Sequence, residues 1–344
     1  MKGKNMSIEE VTKYVSRELC QGKDAESKCS VNGVIYKIEF LAESSSKGIN
    51  IPSILAIPMS ENITDRIILE ANNLESENTQ EVIEQGIQTG IKLARLISDF
   101  PSAIVIPLIP SFKNYPYLQQ LSLECFNIPV SDKNYRMDEQ VVRIIDAAKS
   151  ILKNEIGLTV REKIFLNGYS SSGVFAQRFS LLHPDIVDTV CIGGASGSIP
   201  IPTEKLAYPL GIANYESLTG REFDLESYSK IKFRYYVSEF ETQNKSAARF
   251  DDLGRYAPMH DMSYFDRSIP TEVGKYQREL LGTEMFSRAE NTIRILQNLG
   301  IDIQHKIILG ANHGNIEMVI LKECWYEYIN DICKDNSEVK KTSI

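Results

Sequence analysis

The sequence predicts an α/β fold, with a mostly parallel central sheet and helices on both faces. Three observations carry that prediction. Apolar runs of strand length alternate with segments of helical spacing along most of the chain, the pattern of crossover units in a parallel sheet. Two strand-like runs lead, joined by a short polar turn, and form an antiparallel pair. One apolar run, Ile164-Phe165-Leu166, passes through a turn of small residues straight into a helical pattern that begins at Val174.

The elements follow in order. Asn32 to Leu41 and Ile51 to Pro58 are the leading pair, and Ser44-Ser45-Ser46-Lys47-Gly48 is their turn. Residues 66–71 are a strand. Residues 79–98 have helical spacing, with Val82, Ile83, Ile87, Ile91, Leu93, Ala94 and Ile97 on one side. Ala103 to Leu108 is apolar throughout and reads as a buried strand. Over 137–153, Val141, Ile144, Ile145, Ala148, Ile151 and Leu152 share a helix face. Lys163 to Leu166, Thr189 to Ile192 and the aromatic, β-branched Lys232 to Val237 are strands. A helix over 283–298 stops at Gly300, a strand covers 301–309 by alternation, and Ile316 to Ile329 is an apolar helix. Residues 1–30 read as a polar segment of short helix and loop, 31–333 as one domain, and 334–344 as a disordered polar tail. Two stretches, at about 193–230 and 242–282, exceed the minimal pattern and read as cap-like insertions.

Composition narrows the function classes. With 344 residues, 42% of them hydrophobic and 24% charged, the chain is long enough and apolar enough to bury a sizeable core. A net charge of −8 with dispersed Lys and Arg argues against nucleic acid and anionic membranes as partners. The longest apolar run, near Ala103 to Pro110, is too short to span a bilayer. The start has no apolar core of a signal peptide, so a cytoplasmic protein with reduced thiols is expected. None of the six cysteines forms a C-x-x-C pair, and Cys125 and Cys191 lie in apolar surroundings that predict buried thiols. There is no zinc spacing, no H-E-x-x-H and no phosphate loop, and Gly193-Gly194-Ala195-Ser196-Gly197 is not a dinucleotide fingerprint. No metal or organic cofactor is therefore expected.

The turn Gly168-Tyr169-Ser170-Ser171-Ser172-Gly173 carries the chemistry. A strand-to-helix turn this tight can present a serine nucleophile at its apex, provided the residues two before and two after are small. Centring it on Ser170 puts Gly168 and Ser172 there; centring it on Ser171 puts Tyr169 there. Ser170 is the candidate nucleophile, although the second glycine of G-x-S-x-G arrives one residue late. Such a turn also makes an ordinary serine N-cap, so the decision falls to residues downstream.

A serine nucleophile needs a base and a carboxylate to orient that base. His183 reads as a helix end, His260 lies in a loop with no strand before it, and His305 sits within a strand. His313, in Gly310-Ala311-Asn312-His313-Gly314, follows a strand and precedes a helix, which makes it the candidate base. Past the strand ending at Val237 lie Glu239 and Glu241, of which Glu241 is placed for a turn to aim it at the histidine; Asp251 and Asp252 come later. The oxyanion donors would be the amide of Ser171 and one from the loop after the 66–71 strand, Asn73 or Leu74.

With these residues in place, the chain resembles the α/β-hydrolase fold family, and more narrowly the bacterial serine hydrolases related to polyhydroxyalkanoate-depolymerase-like esterases. The resemblance rests on Arg136-Met137-Asp138-Glu139-Gln140, Asn167 to Gly173, Leu182-His183-Pro184, Tyr208 to Ala213, Tyr236 to Asn244 and Gly310 to Gly314. In that group the acid is usually an aspartate in a G-x-x-D setting, whereas this chain has Ser238-Glu239-Phe240-Glu241. The resemblance implies esterase-like activity on a small-molecule acyl substrate. A hydrolase-fold binding protein and a serine acyltransferase are the other readings. Tyr208, Tyr215, Tyr228, Tyr256, Tyr264 and Tyr276 in the insertions would either wall a mixed-polarity acyl pocket or pack the insertions down. With few consecutive aliphatics there, short or medium soluble acyl esters are expected over long-chain triglycerides.

Overall fold

The structure, a computed structural model, describes residues 28–41, 43–73, 76, 78–111, 118–195, 200–239, 279–282 and 285–311. Among these residues, nine strands form one sheet: β1 (Lys28–Val31), β2 (Val34–Leu41), β3 (Ser53–Pro58), β4 (Ile67–Leu69), β5 (Ala103–Pro107), β6 (Ile164–Tyr169), β7 (Val187–Gly193), β8 (Lys232–Ser238) and β9 (Ile303–Ile308). Their spatial order is β1-β2-β3-β5-β4-β6-β7-β8-β9. Pairing is antiparallel from β1 through β3 to β5, and parallel from β5 through β4 to β9. The expected leading pair and parallel sheet are both present.

Side-chain alternation distributes the strands between two cores. Ile67, Leu69, Ala103 and Val105 face one layer, with helix α2 (Met137–Ile156), helix α3 (Ser171–Leu182) and helix α6 (Met285–Asn298). Ile68, Ile104 and Ile106 face the other, with helix α1 (Thr79–Leu96). β4 and β5 are buried on both faces, which is why these runs read as continuously apolar rather than alternating. α1 starts where the Asn78 side chain accepts from the Gln80 N–H at 3.1 Å. α2 ends at Gly157, whose φ of 68° closes the helix in a left-handed conformation.

The start of the domain differs from expectation. Lys28–Val31 is a strand, not helix or loop, and pairs Val31 with Val34 across Asn32-Gly33. Both turn residues have positive φ, 49° and 83°, the signature of a two-residue hairpin turn whose twist matches the strands. The Asn-Gly dipeptide was the available signal.

The described part of the first insertion is packed down rather than lining an open pocket. It carries two short helices, α4 (Tyr215–Thr219) and α5 (Leu225–Ser229). Tyr208, Tyr215 and Tyr228 are all buried. Their hydroxyls donate to the carbonyls of Leu121, of Leu182 (2.9 Å) and of Pro200 (3.0 Å) respectively. These three rings anchor the insertion to the core. Tyr256, Tyr264 and Tyr276, His260, most of the 242–282 insertion, the 316–329 helix and the 334–344 tail lie outside the described residues. Cys125 and Cys191 are buried free thiols, as expected. No helix among the described residues is long and apolar enough to cross a membrane.

Candidate active site

Ser170 stands alone between β6 and α3, at φ 59° and ψ −119°. A non-glycine residue rarely adopts such a backbone, and it persists only where its surroundings enforce it. Three contacts do so. The Ser170 N–H donates to Gly193 O at the end of β7, 2.9 Å away. The backbone of Ser172 crosses close over Gly168, where an added Cβ would lie 2.2 Å from Ser172 O. The buried Ser172 side chain folds back, its Oγ accepting from the Tyr169 N–H at 2.9 Å. The late glycine has its own cause: a Cβ on Gly173 would come within 3.0 Å of both Ala195 Cβ and Gly193 O, so α3 needs that position bare to approach β7.

Beneath the turn, the segment after β4 holds it. Glu70 is 1% exposed and accepts from three elements: Asn167 Nδ2 at 2.5 Å, Lys92 Nζ at 2.5 Å and Ser172 Oγ at 3.2 Å. Asn73 Oδ1 accepts from the Ser172 N–H at 2.6 Å. Asn73 thus meets the turn through its carboxamide; its own N–H donates to Gln85 Oε1 at 2.9 Å. Ser171 opens the first turn of α3, where amides have no intrahelical partner, and its Oγ accepts from Gln120 Nε2 at 2.8 Å. The structure therefore gathers Ser170, Ser171 and Asn73. Leu74, Glu241, His313, Asp251 and Asp252 lie outside the described residues.

The other carboxylate after β8 is described. Glu239 N–H donates to Ile308 O at 3.0 Å, and Glu239 Oε2 accepts from the Gly310 N–H at 2.8 Å. It ties the end of β8 to the chain just past β9. His305 is exposed on β9, where alternation placed it.

One polar cluster went unread in the sequence. His183 caps α3 as expected, but it is only 2% exposed, and its Nε2–H donates to Asp138 Oδ2 at 3.0 Å. Arg136 holds the same carboxylate through two bonds, at 2.9 and 2.7 Å, while an Arg221 nitrogen lies 3.4 Å from His183 Nδ1. Burial alone would raise the Asp138 carboxyl; the hydrogen bonds from Arg136 and His183 and the charges beside it outweigh burial and hold it well below the usual range. Asp138, Glu139 and His183 are close enough to share a metal ion. Arg136 already bonds both carboxylates, and its guanidinium charge opposes a cation there. Arg136-Met137-Asp138 and Leu182-His183 each carried a mark of the family resemblance, and no feature of the sequence joined them.

No protein-family profile and no curated protein matches the chain in sequence. Solved structures do match. Poly(aspartic acid) hydrolase-1 from Sphingomonas sp. KT-1 superposes with a TM-score of 0.51 at 12% identity, covering 86% of this chain and 97% of that one. A poly(3-hydroxybutyrate) depolymerase from Bordetella parapertussis superposes with a TM-score of 0.50 at 14% identity, covering 94% of each. The chain has the α/β-hydrolase fold.

Asp138→Asn tests the cluster at the far end of α3. Breaking a buried pair by removing one partner's charge is expected to lower unfolding stability by about 3–5 kcal/mol at pH 7, read by urea denaturation. The carboxyl is depressed in the fold, so its contribution is complete above the ordinary carboxylate pKa of about 3.9 and fades as pH falls through the lower folded value. The gap between wild type and variant should therefore narrow below about pH 4. Equal midpoints at pH 7 would show the cluster to be dispensable.

Proposed function

We propose that the protein is a serine hydrolase that cleaves a carboxylic ester, or a related acyl bond, of a soluble small substrate through an acyl-enzyme. The observation that carries this reading is the backbone of Ser170, held at φ 59° on the apex of a strand–turn–helix at the carboxyl edge of the parallel strands. The contacts around the turn impose that strained backbone, and a serine at its apex is placed to act as a nucleophile. The two solved structures above are named a hydrolase and a depolymerase; that analogy of fold supports hydrolysis and leaves the substrate open.

In this reading Ser170 Oγ bonds to the acyl carbon while His313 takes its proton. His313 then returns the proton to the leaving oxygen, and water, activated by the same ring, releases the acid and restores Ser170. Glu241 orients His313. The amide of Ser171 stabilises the oxyanion. Of the two candidates for the second donor, Asn73 has its amide committed to Gln85, so the reading favours Leu74. None of these steps requires a metal or an organic cofactor.

Two predictions follow the roles. Ser170→Ala is expected to abolish hydrolysis of short p-nitrophenyl esters and labelling by a fluorophosphonate probe, a loss on the order of 10⁶ in turnover. Ser171→Ala keeps its backbone amide and loses only the bond to Gln120, so it should retain most activity. A dead Ser171→Ala beside an active Ser170→Ala would move the nucleophile by one residue.

Glu241→Gln should lower kcat by roughly 10²–10⁴ with the fold intact, because the histidine loses its orienting anion. Glu239→Gln should be mild, since its amide oxygen can still accept from the Gly310 N–H. Small, equal effects from both would hand the acid's role to Asp251 or Asp252.

A further inference from the structure

We infer that Glu70 is a positioning residue for the nucleophile turn, acting through Ser172; the inference rests on the reading of Ser170 as nucleophile. Glu70 directly follows β4, where Ile68 faces the α1 layer and Ile67 and Leu69 face the other. Alternation turns Glu70 toward α1, and Lys92 of that helix meets its carboxylate. A carboxylate at this depth is an expensive way to fill space. Desolvating it is costly, and an apolar residue of similar volume often stabilises a fold as well or better.

What an apolar residue could not do is accept from three elements at once. Asn167 belongs to β6, Lys92 to α1 and Ser172 to the first turn of α3. Asn73, three residues on, takes the Ser172 N–H. One short segment therefore grips two polar groups of Ser172, the hydroxyl and the N–H. Ser172 also bonds back to Tyr169, so the chain from Tyr169 to Ser172 is a closed loop with Ser170 and Ser171 inside it. If Ser172 shifts, the Ser170 hydroxyl and the Ser171 amide move together, and both groups proposed to act on the acyl carbon leave their places. Substrate binding further from the turn is not touched.

The test compares Glu70→Gln, Ser172→Ala and the double variant with wild type, each confirmed as folded by circular dichroism. Glutamine is isosteric but uncharged: it drops the ion pair with Lys92 and offers one accepting oxygen where the carboxylate offered two. Both single variants are expected to lower kcat, and the rate constant of fluorophosphonate labelling, by roughly 10- to 100-fold with KM little changed, the effect of a small misplacement of a reacting group. Because Glu70 acts through Ser172, the double variant should be no slower than the slower single. Wild-type labelling and kcat in folded Glu70→Gln would overturn the inference, and so would losses that multiply in the double variant. If Glu70→Gln fails to fold, Ser172→Ala decides, and an unchanged kcat there overturns it. Ser170→Ala is run alongside. Labelling that survives in Ser170→Ala overturns the nucleophile reading itself, whereas a silent Ser170→Ala beside a normal Glu70→Gln overturns the positioning role alone.

Discussion

The close passage of the Ser172 backbone over Gly168 is the contact on which the site's geometry depends. It forces the chain from strand to helix within one residue and leaves Ser170 in a conformation that side chains resist. The neighbouring strands complete the constraint. Gly193 accepts the Ser170 N–H, and its own α-carbon is covered by the Tyr236 ring, 1.9 Å from where a Cβ would sit. Tyr236 in turn stacks on Tyr169, with ring centroids 6.3 Å apart. The ends of β6, β7 and β8 are thus locked to one another at the turn, and a change at Gly193 or Tyr236 would be felt at Ser170 without touching it.

The helix that starts at this turn is seated at both ends by buried charge. At its start, Glu70 and Asn73 hold Ser172; at its end, Asp138, itself held by Arg136, accepts from His183. Between them every residue from Ser172 to Leu182 is buried, so the helix has no face free to rock toward solvent. Even Arg178 is enclosed, donating to Gln120 O at 3.1 Å, and Gln120 reaches back to Ser171. Buried ion pairs add little net stability compared with good apolar packing. Their directional bonds do fix where a helix lies along its axis, which greasy contacts do poorly.

How much of this could be read in the sequence varies with the range of the interaction. The strands and helices were legible because periodicity is local, and the turn at Gly168 was legible because its steric demands fall on residues two apart. Lys28–Val31 is announced only by the Asn32-Gly33 turn that follows it; its four residues are too few to show a strand period against the polar run before them. The tyrosines of the first insertion look the same in sequence whether they line a pocket or anchor a loop; only the carbonyls of Leu121, Leu182 and Pro200 opposite their hydroxyls distinguish the two. Asp138 and His183 lie far apart in the chain and meet only once α2 and α3 pack. Glu70 gave a partial signal, a carboxylate closing the apolar run Ile67-Ile68-Leu69, but nothing local named its partners.

The strand order also explains why Glu239 reaches Gly310. In the sheet, β6 and β9 are separated by β7 and β8, three spacings or about 14 Å at 4.8 Å each. A base carried past β9 can meet a nucleophile past β6 only if its loop folds back across two strand ends. Gly310, at φ 70°, turns the chain just past β9. Glu239, directly after β8, donates its N–H to Ile308 O and accepts the Gly310 N–H, and so fixes where the chain leaves β9. The carboxylate nearest the strand thus has a task of its own, fixing where the chain departs from β9.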